Sequence, residues 1–238
     1  MNKEVLKKNF EAHRFQTQFF QTKEEAAEYL KSEIHGKTVG FGGSITAKEM
    51  GLYDLLKEDN TVYWHWQEPG RETLLKAMNA EVYILSANGV SETGELVNID
   101  GTGNRVAASI FGPKKVYYVV GSNKIAPDLS AAMQRAKDIA SAKNAVRLNR
   151  NTPCVANGGD KCYNCNSPER ICNATVIIER PCGGTETDIW YTFKYIYKNQ
   201  FRRSVLTNSL KHPTLQHNVP PCPSPTPRVY SNSCPLSW

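Results

Sequence analysis

The stretch Thr38-Val39-Gly40-Phe41-Gly42-Gly43-Ser44-Ile45-Thr46 has the order of a buried strand, a glycine-rich turn and the start of a helix. A short apolar run with β-branched and aromatic residues favours a strand, and adjacent glycines favour a tight turn. Thr46, followed three residues later by Glu49, is typical of a capping box, which predicts that a helix starts here. The segment therefore has the character of one βα unit.

The same alternation of strand and helix signals runs outward from this unit over most of the chain. The strongest strand signal is at residues 116–120, and Asp128 is placed to cap a helix with one apolar face. Strands separated by helices predict an α/β fold with a mostly parallel open sheet and flanking helices. Further predicted elements are helices at 22–33 and 72–78 and strands at 61–64, 82–85 and 96–99.

The length of 238 residues suits one domain with an appendage. No apolar run approaches the roughly 20 residues of a membrane span, and the N-terminal residues do not resemble a signal sequence. We therefore expect a cytoplasmic protein without membrane contact, whose cysteines stay reduced unless they bind metal. Of the net charge of +6, residues 199–238 contribute +4, which leaves +2 for residues 1–198. This near balance gives no reason to expect nucleic-acid binding.

Prolines are concentrated near the end of the sequence, where Pro220, Pro221, Pro223, Pro225 and Pro227 lie within eight residues. Such a run is incompatible with a helix or a central strand, so residues 199–238 are predicted to be a disordered, Pro-rich tail. Residues 183–198 alternate in part between apolar and polar side chains and form a candidate terminal strand. Residues 1–182 are then the α/β domain.

Four of the seven cysteines, Cys154, Cys162, Cys165 and Cys172, are spaced as C-x7-C-x2-C-x6-C. The central C-x2-C lets two thiolates bind one ion from a tight turn, and flexible flanking loops can bring in the other two. Four thiolates suit tetrahedral zinc or an iron–sulfur cluster. The spacing matches neither the common zinc-finger pattern nor the common ferredoxin pattern, so it predicts a metal centre without choosing the metal.

Longer motifs carry a resemblance to a known family. GELVNIDGTGNRVAA (94–108), GPKKV (112–116), GSNKI (121–125), GFGGS (40–44) and the cysteine segment 152–173 resemble the short, single-domain branch of the lactate-utilization (LUD) domain family. The resemblance covers roughly residues 1–180 and implies a fold similar to the NagB/RpiA/CoA-transferase group. It also implies a role in lactate utilization, in which some relatives act with iron–sulfur and flavin partners to oxidise lactate to pyruvate. This redox setting favours an iron–sulfur cluster slightly over structural zinc.

The glycine-rich turn is a candidate ligand site. Gly42, Gly43 and Ser44 place backbone N–H groups at the start of a helix, where phosphate or carboxylate groups commonly bind. The hydroxyls of Ser44 and Thr46 can add hydrogen bonds. Because the glycine pattern is shorter than a dinucleotide fingerprint, a plain strand-to-helix turn is the alternative.

A second group of candidates lies between the predicted strands at 82–85 and 116–120 and just after the latter. Arg105 can hold a carboxylate through two parallel hydrogen bonds, with Asp100 orienting it and Asn104 as a further ligand contact. Glu92 is a candidate acid or base, and Lys124 can reach the same edge of the sheet. The alternative is that the Asp and Asn side chains satisfy turns and that Lys124 is an ordinary surface lysine.

Together these features predict a redox-linked enzyme or subunit that acts on a small carboxylate with a cysteine-bound metal centre and with redox partner proteins. The alternative is a regulatory module, stabilised by zinc, that binds a small or phosphorylated metabolite at the turn 42–46. A third class, an isomerase or transferase without redox chemistry, rests on analogy of fold alone. His65, between Trp64 and Trp66, is interpreted as a packed or solvated histidine.

Overall fold

A computed structural model of the chain describes residues 2–192. Its strands are β1 (Gln16–Phe20), β2 (Thr38–Phe41), β3 (Thr61–Tyr63), β4 (Val82–Leu85), β5 (Gly89–Ser91), β6 (Leu96–Asp100), β7 (Lys115–Gly121), β8 (Ile125–Ala126), β9 (Ala174–Ile178) and β10 (Glu186–Thr192). Its helices are α1 (Lys3–Ala12), α2 (Lys23–Glu33), α3 (Ile45–Glu49), α4 (Leu52–Lys57), α5 (Arg71–Met78), α6 (Asn104–Ile110), α7 (Leu129–Arg135), α8 (Ala142–Arg147) and α9 (Pro153–Ala156). A 3-10 turn, Ser122–Lys124, follows β7, and a π-helix, Ala136–Ser141, joins α7 to α8.

The main sheet has six strands in the order β1-β10-β7-β4-β2-β3, and every neighbouring pair is parallel. Parallel neighbours require crossover connections, and helices supply most of them. The predicted α/β class with a mostly parallel sheet is confirmed by this topology.

Helices cover both faces of the main sheet. Successive residues of a strand point to opposite faces, so a strand of apolar residues has side chains to bury on each face. In β4, Val82 and Ile84 pack with α2, α3 and α4, whereas Tyr83 and Leu85 pack with α1, α5 and α6. Burial on both faces explains why the strands read as near-continuous apolar runs.

A second, smaller sheet has the order β8-β5-β6-β9. Its β5–β6 and β6–β9 pairs are antiparallel, and β8 lies parallel to β5. Residues of β6 and α7, including Val97, Ile99 and Ala132, form a separate small core. The sequence pattern predicts the strand at 96–99 but not its membership of a second sheet.

Two helix starts show how local sequence sets the boundaries. The Thr22 hydroxyl accepts a hydrogen bond from the Glu25 backbone N–H at 3.1 Å, as the capping box at this position predicts. The second capping box is wrong by two residues: α3 starts at Ile45, because the Ser44 hydroxyl accepts the Ala47 N–H at 3.1 Å. Thr46 is therefore inside the helix, and its hydroxyl is not needed as a cap.

The segment predicted as a candidate terminal strand contains β10, which lies inside the main sheet between β1 and β7. The α/β domain therefore extends beyond residue 182, since within residues 2–192 β1 joins the main sheet through β10. The end of that segment, 193–198, and the tail, 199–238, lie outside the described residues. No helix within residues 2–192 has both the length and the apolar character needed to cross a membrane.

Candidate functional site

The carboxyl ends of β2 and β4 border the point where the direction of chain connection reverses. The chain leaves β2 toward β3 on one side, and it leaves β4 toward β7 on the other. Open α/β sheets bind ligands at such switch points. The turn 42–46 follows β2 and Ser86 follows β4. We call the region between this turn, Ser86 and Lys124 the switch-point crevice.

Lys124 connects the two sides of the switch-point crevice. Its Nζ donates a hydrogen bond to Ser86 Oγ at 2.5 Å and to Thr46 Oγ1 at 3.3 Å. Ser86 Oγ in turn donates to the Val119 carbonyl at 2.6 Å, so its proton is already used and it can only accept from the amine. Ser86 and Thr46 are 38 and 78 residues away from Lys124 in the sequence. The structure therefore brings together Lys124 and Thr46, which are both predicted site residues.

The surroundings of Lys124 disfavour its charged form. Burial, followed by the positive charges of Arg135 and Arg105, lowers the pKa of Lys124 to about 7. The negative charge of Glu49 opposes this shift only in part. No carboxylate of residues 2–192 forms a salt bridge with Lys124. Lys124 therefore lies at the edge of the sheet, as predicted, and its buried environment differs from that of an ordinary surface lysine.

Arg105 is buried, with 8% of its surface exposed, and its guanidinium group is hydrogen-bonded to the protein itself. One terminal nitrogen donates to the carbonyl of Ser86 and to Asn98 Oδ1, at 3.0 and 2.6 Å. The other donates to Asn88 Oδ1 and to the carbonyl of Ile99, at 3.0 and 2.7 Å. The prediction that these two nitrogens clamp a substrate carboxylate does not fit these contacts. Arg105 instead contributes positive charge next to the switch-point crevice.

Asp100 is the last residue of β6, and Asn104 is the first residue of α6. One Asp100 oxygen accepts the backbone N–H groups of Thr102 and Gly103, each at 3.1 Å, and the other accepts that of Val106 at 3.2 Å. Asp100 Oδ2 also lies 3.8 Å from Arg105 Nε, which is consistent with the predicted orienting role. The Asp100 side chain thus accepts the free backbone N–H groups of the turn between β6 and α6. This was the alternative to a ligand-binding role for the Asp side chain.

The glycines of the turn 42–46 permit close packing. A β-carbon added at Gly42 would lie 2.8 Å from Cγ of Arg105, and one at Gly43 would lie 3.3 Å from the Trp66 ring. The turn is therefore held between the Arg105 stem and an aromatic wall. The Ser44 hydroxyl is buried and caps α3, which has five residues. The contact between this turn and Lys124 is made by the Thr46 hydroxyl.

His65 and Trp66 form a part of the site that the sequence analysis did not assign. The two rings contact edge to face at 6.1 Å, and the Arg147 guanidinium lies 5.1 Å from the Trp66 ring centre. Burial lowers the pKa of His65, and the charge of Asp100 opposes this. Its Nδ1 is buried and has no hydrogen-bond partner among residues 2–192. The sequence does not show that Trp66 lies against Gly43, because this contact forms only in the tertiary structure.

Two features lie away from the switch-point crevice. The backbone of Glu92 bonds to the Asn9 side chain and to Ala126, beside α1, and no described contact links Glu92 to Lys124. A shallow cleft at the opposite edge of the sheet is lined by residues that precede β2, β3 and β4. It contains none of the predicted site residues.

The cysteine loop, residues 153–173, is attached to the loop before α6. The Asn173 backbone N–H donates to the Asp100 carbonyl, and its side chain donates to the Gly101 carbonyl, both at 3.0 Å. On its other side, the Cys162 N–H donates to Asp138 of the π-helix at 2.9 Å. Arg170 spans the loop by donating to the carbonyls of Cys165 and Cys172. The loop is therefore a neighbour of the Asp100–Arg105 region.

The sulfur donors suit a metal, but their arrangement is open. Asn164 N–H donates to Cys162 Sγ at 3.3 Å, so this sulfur accepts a hydrogen bond from the protein backbone. Burial, with the nearby Cys162 and Cys165, raises the pKa of Cys172, and Arg170 opposes this. Within residues 2–192, however, no three His, Cys, Asp or Glu side chains are close enough to share an ion.

The comparison with protein families decides the identity of the domain. A model of the LUD domain matches residues 3–188, which is 186 of the 238 residues. The chain belongs to the LUD domain family. The matched part of this LUD domain includes the switch-point crevice, the cysteine loop and the first residues of β10.

The other comparisons add little to this. The LUD domain is similar to the crystal structure of a DUF162 family protein from Deinococcus radiodurans, with 10% identity and a TM-score of 0.44 over 81% of this chain and 96% of that chain. No curated protein sequence matches the chain. The family assignment therefore rests on the sequence match.

Proposed function

We propose that this LUD domain binds a small carboxylate in the switch-point crevice and that Lys124 is the group that meets it. The observation that carries the proposal is the pair of hydrogen bonds from Lys124 Nζ to Thr46 and Ser86. They hold a titratable amine between the carboxyl ends of two adjacent parallel strands. In the protonated amine two N–H groups are then used, and the third is available to a ligand.

The charge around the crevice supports an anionic ligand. Arg105 and Arg135 lie close enough to lower the pKa of Lys124, and both donate hydrogen bonds to backbone carbonyls. Their guanidinium groups are therefore fixed in place and attract an anion through charge. Cations fixed in a partly buried site act more strongly than mobile surface charges.

The redox part of the proposal comes from the family. In a lactate-utilization role, the bound carboxylate is a 2-hydroxy or 2-oxo acid such as lactate or pyruvate. Oxidation of lactate removes two electrons, which an iron–sulfur or flavin partner protein would accept. Cys154, Cys162, Cys165 and Cys172 are the proposed ligands of a metal centre of this domain, iron–sulfur or zinc.

Calorimetry can test carboxylate binding directly. L-lactate, pyruvate and inorganic phosphate are each titrated into the full chain and into Lys124→Gln. Removing a charge-assisted hydrogen bond costs about 1.5–3 kcal/mol, so carboxylate affinity should fall roughly tenfold or more. The matched control is Lys8→Gln, which removes one exposed charge on α1 and should bind like the wild type.

The proposal fails if Lys124→Gln binds lactate and pyruvate as tightly as the wild type. Binding of phosphate alone, with no carboxylate binding, would favour the regulatory alternative with a phosphorylated metabolite. Circular dichroism of each variant verifies that any lost affinity is not lost folding.

A further inference from the structure

We infer that Lys124 is a covalent nucleophile, whose amine condenses with the 2-oxo group of a small 2-oxo carboxylate to form an imine. The inference rests on the proposed carboxylate site, and it names the reactive group of the ligand. It assigns to this domain a chemical step that needs neither an electron acceptor nor a metal.

The geometry of the amine suits this reaction. Ser86 Oγ has its own proton on the Val119 carbonyl, so it accepts from Nζ at 2.5 Å. Thr46 Oγ1 accepts from Nζ at 3.3 Å. A neutral amine has two N–H groups and one lone pair. If both N–H groups are held by these hydroxyls, the lone pair is left for a carbonyl carbon in the crevice.

The charges around the amine keep its lone pair available. No described carboxylate pairs with Lys124, while Arg135 and Arg105 stand near it and Glu49 is the acid that acts in the opposite direction. With a pKa of about 7, a large fraction of Lys124 is neutral at physiological pH, whereas an ordinary lysine is almost entirely protonated. Desolvation next to other cations is a known way of activating a lysine amine.

The same cations suit the remainder of the ligand. A 2-oxo acid has its carboxylate on the carbon next to the carbonyl, so an imine at Nζ holds the carboxylate within the electrostatic influence that Arg105 and Arg135 exert on Lys124. If Lys124 only bound an anion, a permanently charged ammonium would bind it more tightly than a partly neutral amine does. The partly neutral amine therefore favours a reaction at Nζ.

The step balances without a further reactant. The Nζ lone pair attacks the 2-oxo carbon, and the carbonyl π bond breaks to give a carbinolamine. The carbinolamine then loses its oxygen as water, together with the two protons that began on the amine. A C=N bond replaces the C=O bond, nothing is oxidised or reduced, and hydrolysis reverses the step.

Borohydride trapping tests the inference. The full chain is incubated with pyruvate and sodium borohydride, which reduces an imine to a stable secondary amine, and the labelled lysines are mapped by mass spectrometry. The label should lie on Lys124, in the uncut tryptic peptide 116–135, at a rate at least about tenfold above that of exposed Lys8. Its pH dependence should level off near pH 7–8, while labelling of Lys8 continues to rise. L-lactate, which has no carbonyl, should give no label.

The outcomes separate the two proposals. If pyruvate binds in calorimetry but Lys124 is labelled no faster than Lys8, the imine is excluded and the carboxylate site stands. If neither pyruvate nor L-lactate binds and Lys124 is not labelled, both are wrong. Because the label is mapped on the wild-type chain, the result does not depend on a variant that might not fold.

Discussion

At Arg105, a residue predicted to bind substrate is used to join segments of the protein. Its terminal nitrogens reach Ser86 after β4, Asn88 before β5, and Asn98 and Ile99 in β6. It therefore links the main sheet to the small sheet beside the switch-point crevice. A planar group with several fixed donors suits this task better than a flexible ammonium.

Replacing Arg105 with Lys should accordingly reduce stability. The substitution keeps the charge but leaves some of the four acceptors, three of them in buried bonds, without a donor. This should cost about 2–4 kcal/mol in the free energy of unfolding. Urea denaturation measures this, with Arg71→Lys at the exposed start of α5 as the control. If Arg105→Lys has wild-type stability but no longer binds a carboxylate, Arg105 binds the ligand and does not mainly join segments of the protein.

At the scale of elements, the cysteine loop shows how little regular structure fixes the position of the four thiols. Apart from the single turn of α9, it is fixed by Asn173 at the Asp100 loop, by Asp138 of the π-helix and by Arg170 across it. A π-helix interrupts regular α-helical bonding and often occurs near functional sites.

Metal analysis tests whether the loop binds one. Protein purified without oxygen should contain one metal centre, and Cys162→Ser/Cys165→Ser should abolish it because a Cys-x2-Cys pair is lost. Absorbance near about 400 nm identifies an iron–sulfur cluster, whereas stoichiometric zinc is colourless. Cys182→Ser, an exposed cysteine outside the loop, is the control and should keep its metal. Unchanged metal content in the double variant would contradict the assignment.

For the whole molecule, β10 is the element that extends the main sheet beyond residue 182. β10 pairs with β1 and β7, and Ile189, Trp190 and Tyr191 are almost fully buried. Yet the Trp190 indole N–H and the Tyr191 hydroxyl are buried without a hydrogen-bond partner in the described part of the chain. An unpaired buried polar group costs about 1–3 kcal/mol, so these two groups offset part of the stabilisation that burial of β10 provides.

Two truncations should therefore behave differently. A stop after Thr185 removes β10, exposes β1 and β7 edges and loses three large buried side chains, each contributing about 1.5–3 kcal/mol. It should give insoluble protein or a much lower thermal midpoint. A stop after Lys198 keeps β10 and removes the Pro-rich tail, so the midpoint should stay within a few degrees. Unfolding of the longer version would show that the tail is needed.

The sequence alone determined the features that depend on nearby residues. The alternation of apolar runs with capped helical segments predicts the α/β class, because strand and helix periodicity are local properties. The motifs at 40–44, 94–108 and 152–173 likewise predict the LUD family. The Thr22 cap is predicted correctly for the same reason, and the second cap is placed two residues late because Ser44 and Thr46 are both acceptable caps.

Only the tertiary structure decided which distant groups meet. Strand order places Thr46, Ser86 and Lys124 at one switch point, although 78 residues separate the first from the last. It also places Arg105 among internal acceptors, brings Trp66 against Gly43, and inserts β10 between β1 and β7. The first and last of these depend on parallel pairing between strands that are distant in sequence. The free energy of such contacts comes from packing and hydrogen bonds between segments, and no local pattern of residues encodes their partners.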